Sequence, residues 1–226
     1  MSQFVFEQVR VEREGRLVLD VPRLVIAEQR VGIVGLNGSG KSTLLRLMNG
    51  LVAPTSGDVC VDGLNTKVDG RRIRKTVGFI FQNPDNQIVY PIVSEDLGFG
   101  LKNIGIPKSE IPGRIAAALT RLQISHLSER QSHLLSGGEK QLVALAAVMV
   151  MEPHTILFDE PTAGLDLRNR NHVCRTLGAL AEQAVIVSHD LMLLDQADRV
   201  LVMADGCIIM DAPAKEAIQF YTAHCG

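Results

Sequence analysis

The glycine-rich stretch at residues 35–42 reads GLNGSGKS and has the spacing of a phosphate-binding loop. Glycines allow backbone angles that turn successive N–H groups toward one anion, and a helix after the loop adds the positive end of its dipole. In this pattern Lys41 contacts the β- and γ-phosphates of a nucleotide, and the Ser42 hydroxyl coordinates Mg²⁺. A glycine turn with a chance lysine is the structural alternative. The strand, loop and helix order favours phosphate binding by Gly35, Leu36, Asn37, Gly38, Ser39, Gly40, Lys41, Ser42 and Thr43.

A second candidate is an apolar run that ends in two acids, TILFDE at residues 155–160. A buried strand that ends here places Asp159 beside the phosphate loop, where its carboxylate can hold the water shell of Mg²⁺. Glu160 is then the candidate to polarise an attacking water molecule. Many strands leave the core through a solvated acidic turn, so the pattern alone is weak. Downstream of a phosphate loop, it predicts one metal-binding and one catalytic carboxylate.

The elements that must position these residues are those of an α/β protein. Residues 30–34 form a short apolar run that leads into the glycine loop, and a helix with an apolar stripe runs from Lys41 to a stop at Gly50. The other β-like runs are residues 77–81, 155–158, 184–187 and 200–203. With helices between them, these runs predict a mostly parallel sheet. Residues 4–11 and 17–26 alternate in hydrophobicity and predict antiparallel β-structure.

The middle of the chain, about residues 81–136, is rich in helix caps and breakers and is predicted to be a helical insertion. Ser94 is the predicted N-cap of one helix, with Glu95 and Asp96 in its first turn. Ser136 is predicted to begin a second helix with an apolar stripe.

The composition of the 226 residues, 46% hydrophobic and 21% charged, is that of a globular protein, and we expect one domain over residues 1–226. The formal net charge of −2 gives no general attraction to nucleic acid or to anionic lipid. No run approaches the ~20 apolar residues that cross a bilayer, and the N-terminus lacks the pattern of a signal peptide. We therefore expect a cytosolic chain whose contact with a membrane is peripheral. The cysteines show no metal-ligand spacing and are predicted to be reduced thiols: Cys60, Cys174, Cys207 and Cys225.

Residues 135–139 read LSGGE, and with the two motifs above they resemble the nucleotide-binding domain of ABC transporters over almost the whole chain. The resemblance implies a P-loop NTPase core with a mostly parallel sheet, an N-terminal antiparallel β subdomain and a helical signature subdomain. It also implies that Ser136, Gly137 and Gly138 bind the γ-phosphate of an ATP held by an opposite subunit, which suits a helix N-terminus. Glu139 stands where the family usually has glutamine. A plain capping box over the same residues is compatible with that role.

The remaining family positions follow in the expected order. Gln82 resembles the glutamine that contacts Mg²⁺ and senses the membrane partner. Asp166, in AGLD, resembles a residue of the loop that crosses the dimer interface, and His189, in VIVSHD, resembles the histidine that contacts the γ-phosphate. The resemblance therefore implies ATP and Mg²⁺ as cofactors. The implied catalytic residues are Glu160, His189 and Gln82, and the implied magnesium ligands are Ser42, Gln82 and Asp159.

One family position departs from the pattern. Family members usually carry an aromatic residue that stacks on adenine, whereas the corresponding phrase here, VRVER, ends at Arg13. A planar guanidinium also stacks on a base, so Arg13 is the candidate for adenine packing. The alternative is that Arg13 is a solvated loop residue and that the base is held loosely.

The stretch at residues 81–106 resembles one branch of the family, the ATPases of energy-coupling factor importers, which take up vitamins and transition-metal ions. In that branch the segment after the glutamine forms a short helix that lines a groove for the transmembrane coupling subunit. Residues 143–153 fit the same branch, whereas other ABC ATPases more often carry arginine at the places of Leu142 and Ala147. The implied groove residues are Asn83, Asp85, Asn86, Gln87 and Tyr90.

The resemblance implies the ATP-hydrolysing subunit of such an importer, at the cytoplasmic face of the membrane. Its expected partners are a second ATPase subunit, identical or different, a transmembrane coupling subunit and, through it, a substrate-binding membrane subunit; nucleic acid is not expected. Biotin is the first guess for the substrate and cobalt the second. Only 16 residues follow Met210, so no C-terminal regulatory domain is expected. The alternatives are a soluble ABC ATPase that acts on nucleic acid, ribosomes or Fe–S clusters, and the ATPase of a conventional ABC transporter.

Overall fold

The computed structural model describes residues 1–225, with side chains described through His224. The strands in this range are β1 (Phe4–Arg13), β2 (Arg16–Ile26), β3 (Arg30–Gly35), β4 (Ser56–Val61), β5 (Leu64–Asn65), β6 (Val77–Ile80), β7 (Thr155–Asp159), β8 (Gln183–Val187), β9 (Arg199–Ala204) and β10 (Cys207–Ala212). The α-helices are α1 (Lys41–Met48), α2 (Thr66–Ile73), α3 (Val93–Asn103), α4 (Ile111–Arg121), α5 (Gly137–Met149), α6 (Leu167–Gly178), α7 (Leu191–Leu194) and α8 (Ala214–Cys225). Single turns of 3₁₀-helix lie at Pro84–Asn86, Ser125–Leu127 and Ser132–Leu134.

A four-stranded antiparallel sheet, in the order β2-β1-β4-β5, confirms the antiparallel prediction for the N-terminal residues. The apolar residues on one face of β1, such as Phe4 and Phe6, are fully buried. Phe4 pairs with Ile26 on one side and with Val61 on the other. Strand β4 was not predicted, because only Val59 and Val61 of its six residues face the core and a polar serine and a glycine open it.

The six-stranded sheet has the order β10-β9-β3-β8-β7-β6 and is parallel except for β10, which confirms the mostly parallel α/β prediction. Strands β7 and β8 are buried from end to end, as expected for interior strands of a sheet covered on both faces. Strands β3, β8 and β7 lie side by side, so their carboxyl ends meet at one edge. That edge brings together Gly35, Asp159 and Val187, and the residues that follow these strands share one crevice.

The predicted end of helix α1 and the predicted start of helix α5 are confirmed. Gly50 follows α1 with φ of 68° and donates its N–H to the last turn, so it ends the helix as predicted. Ser136 is the N-cap of α5 and forms a capping box with Glu139. Glu95 and Asp96 lie in the first turn of α3, where acidic side chains stabilise the positive end of a helix.

The predicted N-cap at Ser94 is wrong. Helix α3 begins at Val93, and Ile92 is its N-cap. The first N–H groups of the helix donate to backbone carbonyls of a packed loop: Val93 N to Arg130 O at 3.2 Å and Ser94 N to Ser128 O at 2.9 Å. Because tertiary packing satisfies these donors, a capping side chain is not needed and the helix starts earlier than the serine suggests.

None of the helices in residues 1–225 is long and apolar enough to span a bilayer. The thiols of Cys60, Cys174 and Cys207 are free, and burial raises the pKa of Cys60 and Cys174. The side chain of Cys225 lies outside the described residues, so the prediction for its thiol stays a prediction.

Candidate active site

The phosphate loop connects β3 to α1. Gly38 and Gly40 have φ of 82° and 97°, in the left-handed region where other residues are strained, so glycine is required at both turns. Lys41 is only 7% exposed, and its Nζ donates to the carbonyl oxygens of Gly35 at 2.7 Å and Leu36 at 2.9 Å. The ammonium group is thus held inside the loop and faces the cavity described below.

The residues beneath the loop offer oxygen ligands. Ser42 Oγ donates to Asp159 Oδ1 at 2.7 Å and joins the start of α1 to the end of β7. Asp159 is 1% exposed, and its Oδ2 accepts from Arg46 Nη2 at 3.3 Å. A hydroxyl, a carboxylate and the exposed amide of Gln82 at the same cavity are the hard donors that Mg²⁺ prefers, so these residues fit the ion. The contact of Arg46 with Asp159 was not predicted.

Glu160 leaves the end of β7 in a left-handed backbone conformation, with φ of 52°, and its N–H donates to Val187 O at 2.9 Å. The side chain lines the cavity together with Lys41. Burial raises the pKa of Glu160 above its ordinary value of 4.5, although His189 and Lys41 oppose the shift. Burial likewise lowers the pKa of Lys41, against the attraction of the nearby carboxylates.

His189 lies between the phosphate loop and Glu160. Its backbone N–H donates to Glu160 Oε2 at 3.2 Å, and its Nε2 lies 3.2 Å from Asn37 Oδ1. Nε2 is also 3.3 Å from Glu160 Oε1, but this oxygen is buried and forms no aligned hydrogen bond to any described residue. The glycine motif gave no signal for the side-chain contact between Asn37 and His189.

These residues surround an open cavity of about 420 Å³, a volume within the range of small-molecule sites. The cavity is lined by Val18, Asn37, Gly38, Ser39, Gly40, Lys41, Ser42, Thr43, Gln82, Glu160, Ala163 and His189. The structure therefore brings the phosphate loop, Gln82, Glu160 and His189 together. Arg13 is exposed at the end of β1, and the cavity wall on that side is formed by Val18 of β2, which the sequence analysis did not single out.

The signature residues lie elsewhere, at the N-terminus of α5. Ser136 N and Oγ lie 2.8 Å and 2.7 Å from Glu139 Oε2, and Glu139 N lies 3.4 Å from Ser136 Oγ. Hydrogen bonds from the Ser136 hydroxyl and N–H lower the pKa of Glu139. Gly137 is exposed, whereas Gly138 is buried where a Cβ would lie 2.6 Å from the Asn169 side chain. Among the described residues of one chain, the signature and the phosphate loop do not line the same cavity.

Asp166 is the N-cap of α6 and is exposed. Its Oδ1 accepts from Asn169 N at 2.9 Å and its Oδ2 from Asn169 Nδ2 at 2.7 Å. The hydrogen bond from the Asn169 backbone is the main cause of a lowered pKa at Asp166. The cap fixes the loop before α6 next to the start of α5, since Asn169 also packs on Gly138.

The segment after Gln82 is held on α5 by two of its own side chains. Gln87 Nε2 donates to Ala144 O at 2.9 Å, and Asp85 Oδ1 accepts from Lys140 Nζ at 2.7 Å. Gln87 is half-buried, so its amide faces α5 and not the solvent. Both residues were predicted to line a partner groove; the structure places them at the base of the segment.

Fold and site together define a P-loop ATPase: a mostly parallel sheet carries a phosphate loop after one strand and an Asp-Glu pair at the end of another. The sequence profile of the ABC transporter family matches residues 23–163. The chain belongs to this family, as one of its ATP-binding, ATP-hydrolysing components.

Individual relatives show to which branch of the ABC transporter family the chain is similar. The chain is 45% identical over 216 residues to the biotin transport ATP-binding protein BioM of Rhizobium etli, covering 96% of each chain. It is 40% identical over 219 residues to the energy-coupling factor transporter ATP-binding protein EcfA1 of Clostridium novyi, covering 94% of this chain and 78% of EcfA1. The resemblance to the energy-coupling factor branch is thereby confirmed.

Solved structures agree with this placement. The fold is similar to that of cbiO1 from Clostridium perfringens, which is part of the ABC transporter complex cbiONQ, with a TM-score of 0.84, 33% identity, and 98% and 95% of the two chains covered. It is also similar to a dimeric ATP-binding cassette in a post-hydrolysis state bound to ADP and Pi, with a TM-score of 0.84, 27% identity, and 93% and 98% covered.

Proposed function

We propose that this chain hydrolyses ATP to energise an energy-coupling factor type importer of a vitamin or a transition-metal ion. The observation that carries the proposal is the exposed aromatic surface on the segment after Gln82, on the same chain as the ATPase site. Biotin is the first candidate substrate, because the biotin transport relative matches over 96% of both chains, and cobalt is the second. In this function the chain lies at the cytoplasmic face of the membrane and is held there by a transmembrane coupling subunit.

The cavity is proposed to bind ATP through its phosphates. Lys41 and the N–H groups of the loop contact the β- and γ-phosphates, and the start of α1 adds its dipole. Ser42, Asp159 and Gln82 would hold Mg²⁺, which neutralises phosphate charge when bound. Their oxygens already lie at the cavity or directly beneath it.

Hydrolysis is proposed to use the two residues that follow β7 and β8. Glu160, which lines the cavity, orients and polarises the attacking water. His189, whose Nε2 lies 3.2 Å from Asn37 Oδ1, contacts the γ-phosphate from the opposite side of the loop. Gln82 completes the site and lies immediately before the exposed segment, so the segment can influence the cavity directly.

The separation of signature and phosphate loop supports a dimer. Ser136 and Gly137 are exposed at the N-terminus of α5. The Ser136 N–H is bonded to Glu139, whereas the Gly137 N–H, in the first turn, has no partner within the helix and suits a γ-phosphate presented by another subunit. Asp166 lies beside them and would cross the same interface. Two chains that face each other, each giving its phosphate loop to the other's signature, would complete two ATP sites. The second subunit can be identical or different.

Replacing Arg13 with alanine tests its proposed stacking on adenine. We expect ATP affinity to fall by about 1 to 3 kcal/mol, the range for stacking of a base on a planar side chain. Isothermal titration of the purified chain with ATP measures the change. Arg23→Ala, at an exposed position of β2, is the matched control and should bind as the wild type does. Unchanged affinity in Arg13→Ala would support the alternative, a solvated arginine.

The proposed docking surface consists of Asn83, Asn86, Val89, Tyr90 and Phe99. Val89 is 72% exposed, and Tyr90 and Phe99 are 38% and 37% exposed, with their ring centroids 5.0 Å apart. Apolar and aromatic groups with a polar rim are what an amphipathic or apolar helix of a partner requires. Phe99 was not predicted as part of this surface; it reaches it from α3.

The backbone of the docking surface is fixed from behind. Asp96, buried in the first turn of α3, accepts hydrogen bonds from Val89 N at 2.8 Å and Tyr90 N at 2.9 Å. Ser132 Oγ donates to Tyr90 O at 2.9 Å. A surface whose backbone is already ordered pays little conformational entropy on binding. The exposed side chains of the docking surface are therefore available to contact a partner.

Substitutions on the docking surface should uncouple the chain from its membrane partner without unfolding it. We expect Tyr90→Ala and Asn86→Arg to keep the wild-type melting temperature and ATP affinity but to lose the transmembrane coupling subunit. The measurement is a pull-down from detergent-solubilised membranes, with the coupling subunit identified by mass spectrometry. Val68→Ala on α2 and Gln219→Arg on α8 are exposed controls that should retain the subunit. Retention by Tyr90→Ala and Asn86→Arg, or loss of folding, would remove the support for this branch.

A further inference from the structure

Arg170 of α6 forms a two-pronged ion pair with Asp190, the residue after His189. Arg170 Nε and Nη2 each donate to a different Asp190 oxygen at 2.5 Å. The Asp190 side chain is only 8% exposed. Burial alone would raise the pKa of Asp190, but the hydrogen bonds and charge of Arg170 hold it below its ordinary value. Paired planar groups of this kind restrict both distance and orientation.

The two residues of this ion pair contact different parts of the proposed ATP site: Arg170 contacts the loop at Asp166, and Asp190 contacts the turn that carries His189. Arg170 N donates to Asp166 O at 2.8 Å, so Arg170 lies one turn into the helix that Asp166 caps. Asp190 N donates to Ser188 Oγ at 3.0 Å, which fixes the turn that carries His189. His189 in turn donates its N–H to Glu160. A continuous set of contacts therefore joins the loop before α6 to the proposed catalytic pair.

We propose that Arg170 is a positioning residue: through Asp190 it fixes His189 and Glu160 relative to the loop at Asp166. The inference rests on the proposed function of this site. Its consequence is that a change in the position of the Asp166 loop, as on closure of two subunits, is transmitted to the turn that carries His189. Arg170 itself lies outside the ATP cavity and contacts neither of the two catalytic side chains.

A purely structural role for the pair makes a different prediction. The Asp190 carboxylate also caps α7, because Oδ1 lies 3.4 Å from Leu193 N. A cap needs only a side-chain acceptor, which asparagine supplies as well as aspartate. If capping and stability were the whole role, loss of Arg170 would change the melting temperature and leave the chemical step unchanged. The turnover number at saturating ATP distinguishes the two roles.

The test compares Arg170→Met with Arg175→Met. Arg175 lies on the same helix and is exposed, and its Nε donates to Asn171 O of that helix. We expect kcat for ATP hydrolysis to fall about tenfold or more in Arg170→Met with KM within about twofold, since misplacing a catalytic group by ~1 Å costs up to about 100-fold. Arg175→Met should keep the wild-type kcat. Arg170→Lys, which keeps the charge and loses the fork, should be intermediate.

Asp190→Asn keeps a side-chain hydrogen-bond acceptor that caps α7, and it tests the same ion pair if Arg170→Met does not fold. It should lower kcat to a similar extent, and the double variant should be no slower than the slower single variant, because both remove one interaction. Equal kcat in Arg170→Met and Arg175→Met, or full activity in Asp190→Asn, would overturn the inference. Wild-type protein and Glu160→Gln are run beside them. If the wild type does not hydrolyse ATP the proposed function fails, and if Glu160→Gln hydrolyses it at the wild-type rate the catalytic role of Glu160 fails. If Glu160→Gln is inactive and Arg170→Met is not slowed, only this inference fails.

Discussion

Replacing Lys41 with alanine is expected to nearly abolish ATP binding. Lys41 is 7% exposed and its ammonium group is held within the phosphate loop, so its charge acts on the phosphates with little screening by water. Loss of such charge-assisted hydrogen bonds should weaken binding by about 100-fold or more. The substitution also leaves the carbonyls of Gly35 and Leu36 without their donor, which reinforces the loss.

Equilibrium titration with ATP measures this effect. Lys215→Ala, at an exposed position of α8, is the matched control and should bind ATP with wild-type affinity. A melting curve without nucleotide checks that the loop variant is folded. Near-normal affinity in folded Lys41→Ala would contradict the assignment of residues 35–43 as the phosphate-binding loop.

Glu160→Gln is expected to bind ATP but to hydrolyse it at least about 100-fold more slowly. The amide keeps the shape of the side chain and still accepts a hydrogen bond, but it cannot take up charge from the attacking water. Removing the carboxylate also leaves Lys41 with one acidic neighbour fewer, which favours binding of anionic phosphates at the cavity. Single-turnover hydrolysis of labelled ATP measures the rate, and wild-type turnover in this variant would show that another group is the base.

The pH dependence of the wild type should reflect the same carboxylate. Burial raises the pKa of Glu160 above 4.5, and the base is active only when ionised. The hydrolysis rate should therefore fall as pH falls through that raised pKa, starting at a higher pH than an exposed glutamate would give. Residual hydrolysis by Glu160→Gln should lack this acidic limb. An acidic limb of the same midpoint in both proteins would assign the titration to another residue.

Some of the residues predicted at the site have roles that depend on close neighbours in the chain, and others were predicted because a motif places them at the end of a buried strand. Lys41 and Ser42 belong to a loop with fixed internal spacing, and Ser136 caps its own helix three residues ahead of Glu139. The mostly parallel sheet was also predicted, from buried apolar runs separated by helices, although the order of its strands was not.

Contacts between distant segments that belong to no motif could not be predicted in this way. Arg46 reaches Asp159 across 113 residues, and Arg170 meets Asp190 only because α6 packs beside the turn after β8. Their side chains look like ordinary solvated arginines when the sequence is considered alone. The error at Ser94 has the same origin, since carbonyls of a loop some 35 residues further along the chain satisfy the helix start.

The contacts made by the segment after Gln82 could be predicted only in part. Its polar sequence predicted a groove for a partner, but which of its residues pack on the rest of the protein depends on the fold. Gln87 and Asp85 hold the segment on α5, while Tyr90 faces solvent beside Phe99. Residues of similar polarity thus have different contacts, and only the fold separates those that are bonded to α5 from those that are not.

In the proposed function two chains share each ATP site, and light scattering of Glu160→Gln with ATP and Mg²⁺ measures whether they do. We predict an ATP-dependent dimer, and we predict that Glu160→Gln combined with Ser136→Arg binds ATP with similar affinity but remains monomeric. The exposed Ser136 lies outside the cavity of its own chain, so its substitution should affect only a site completed by another chain. A monomeric Glu160→Gln chain, or a dimer that Ser136→Arg leaves intact, would show that two chains do not share each ATP site through Ser136.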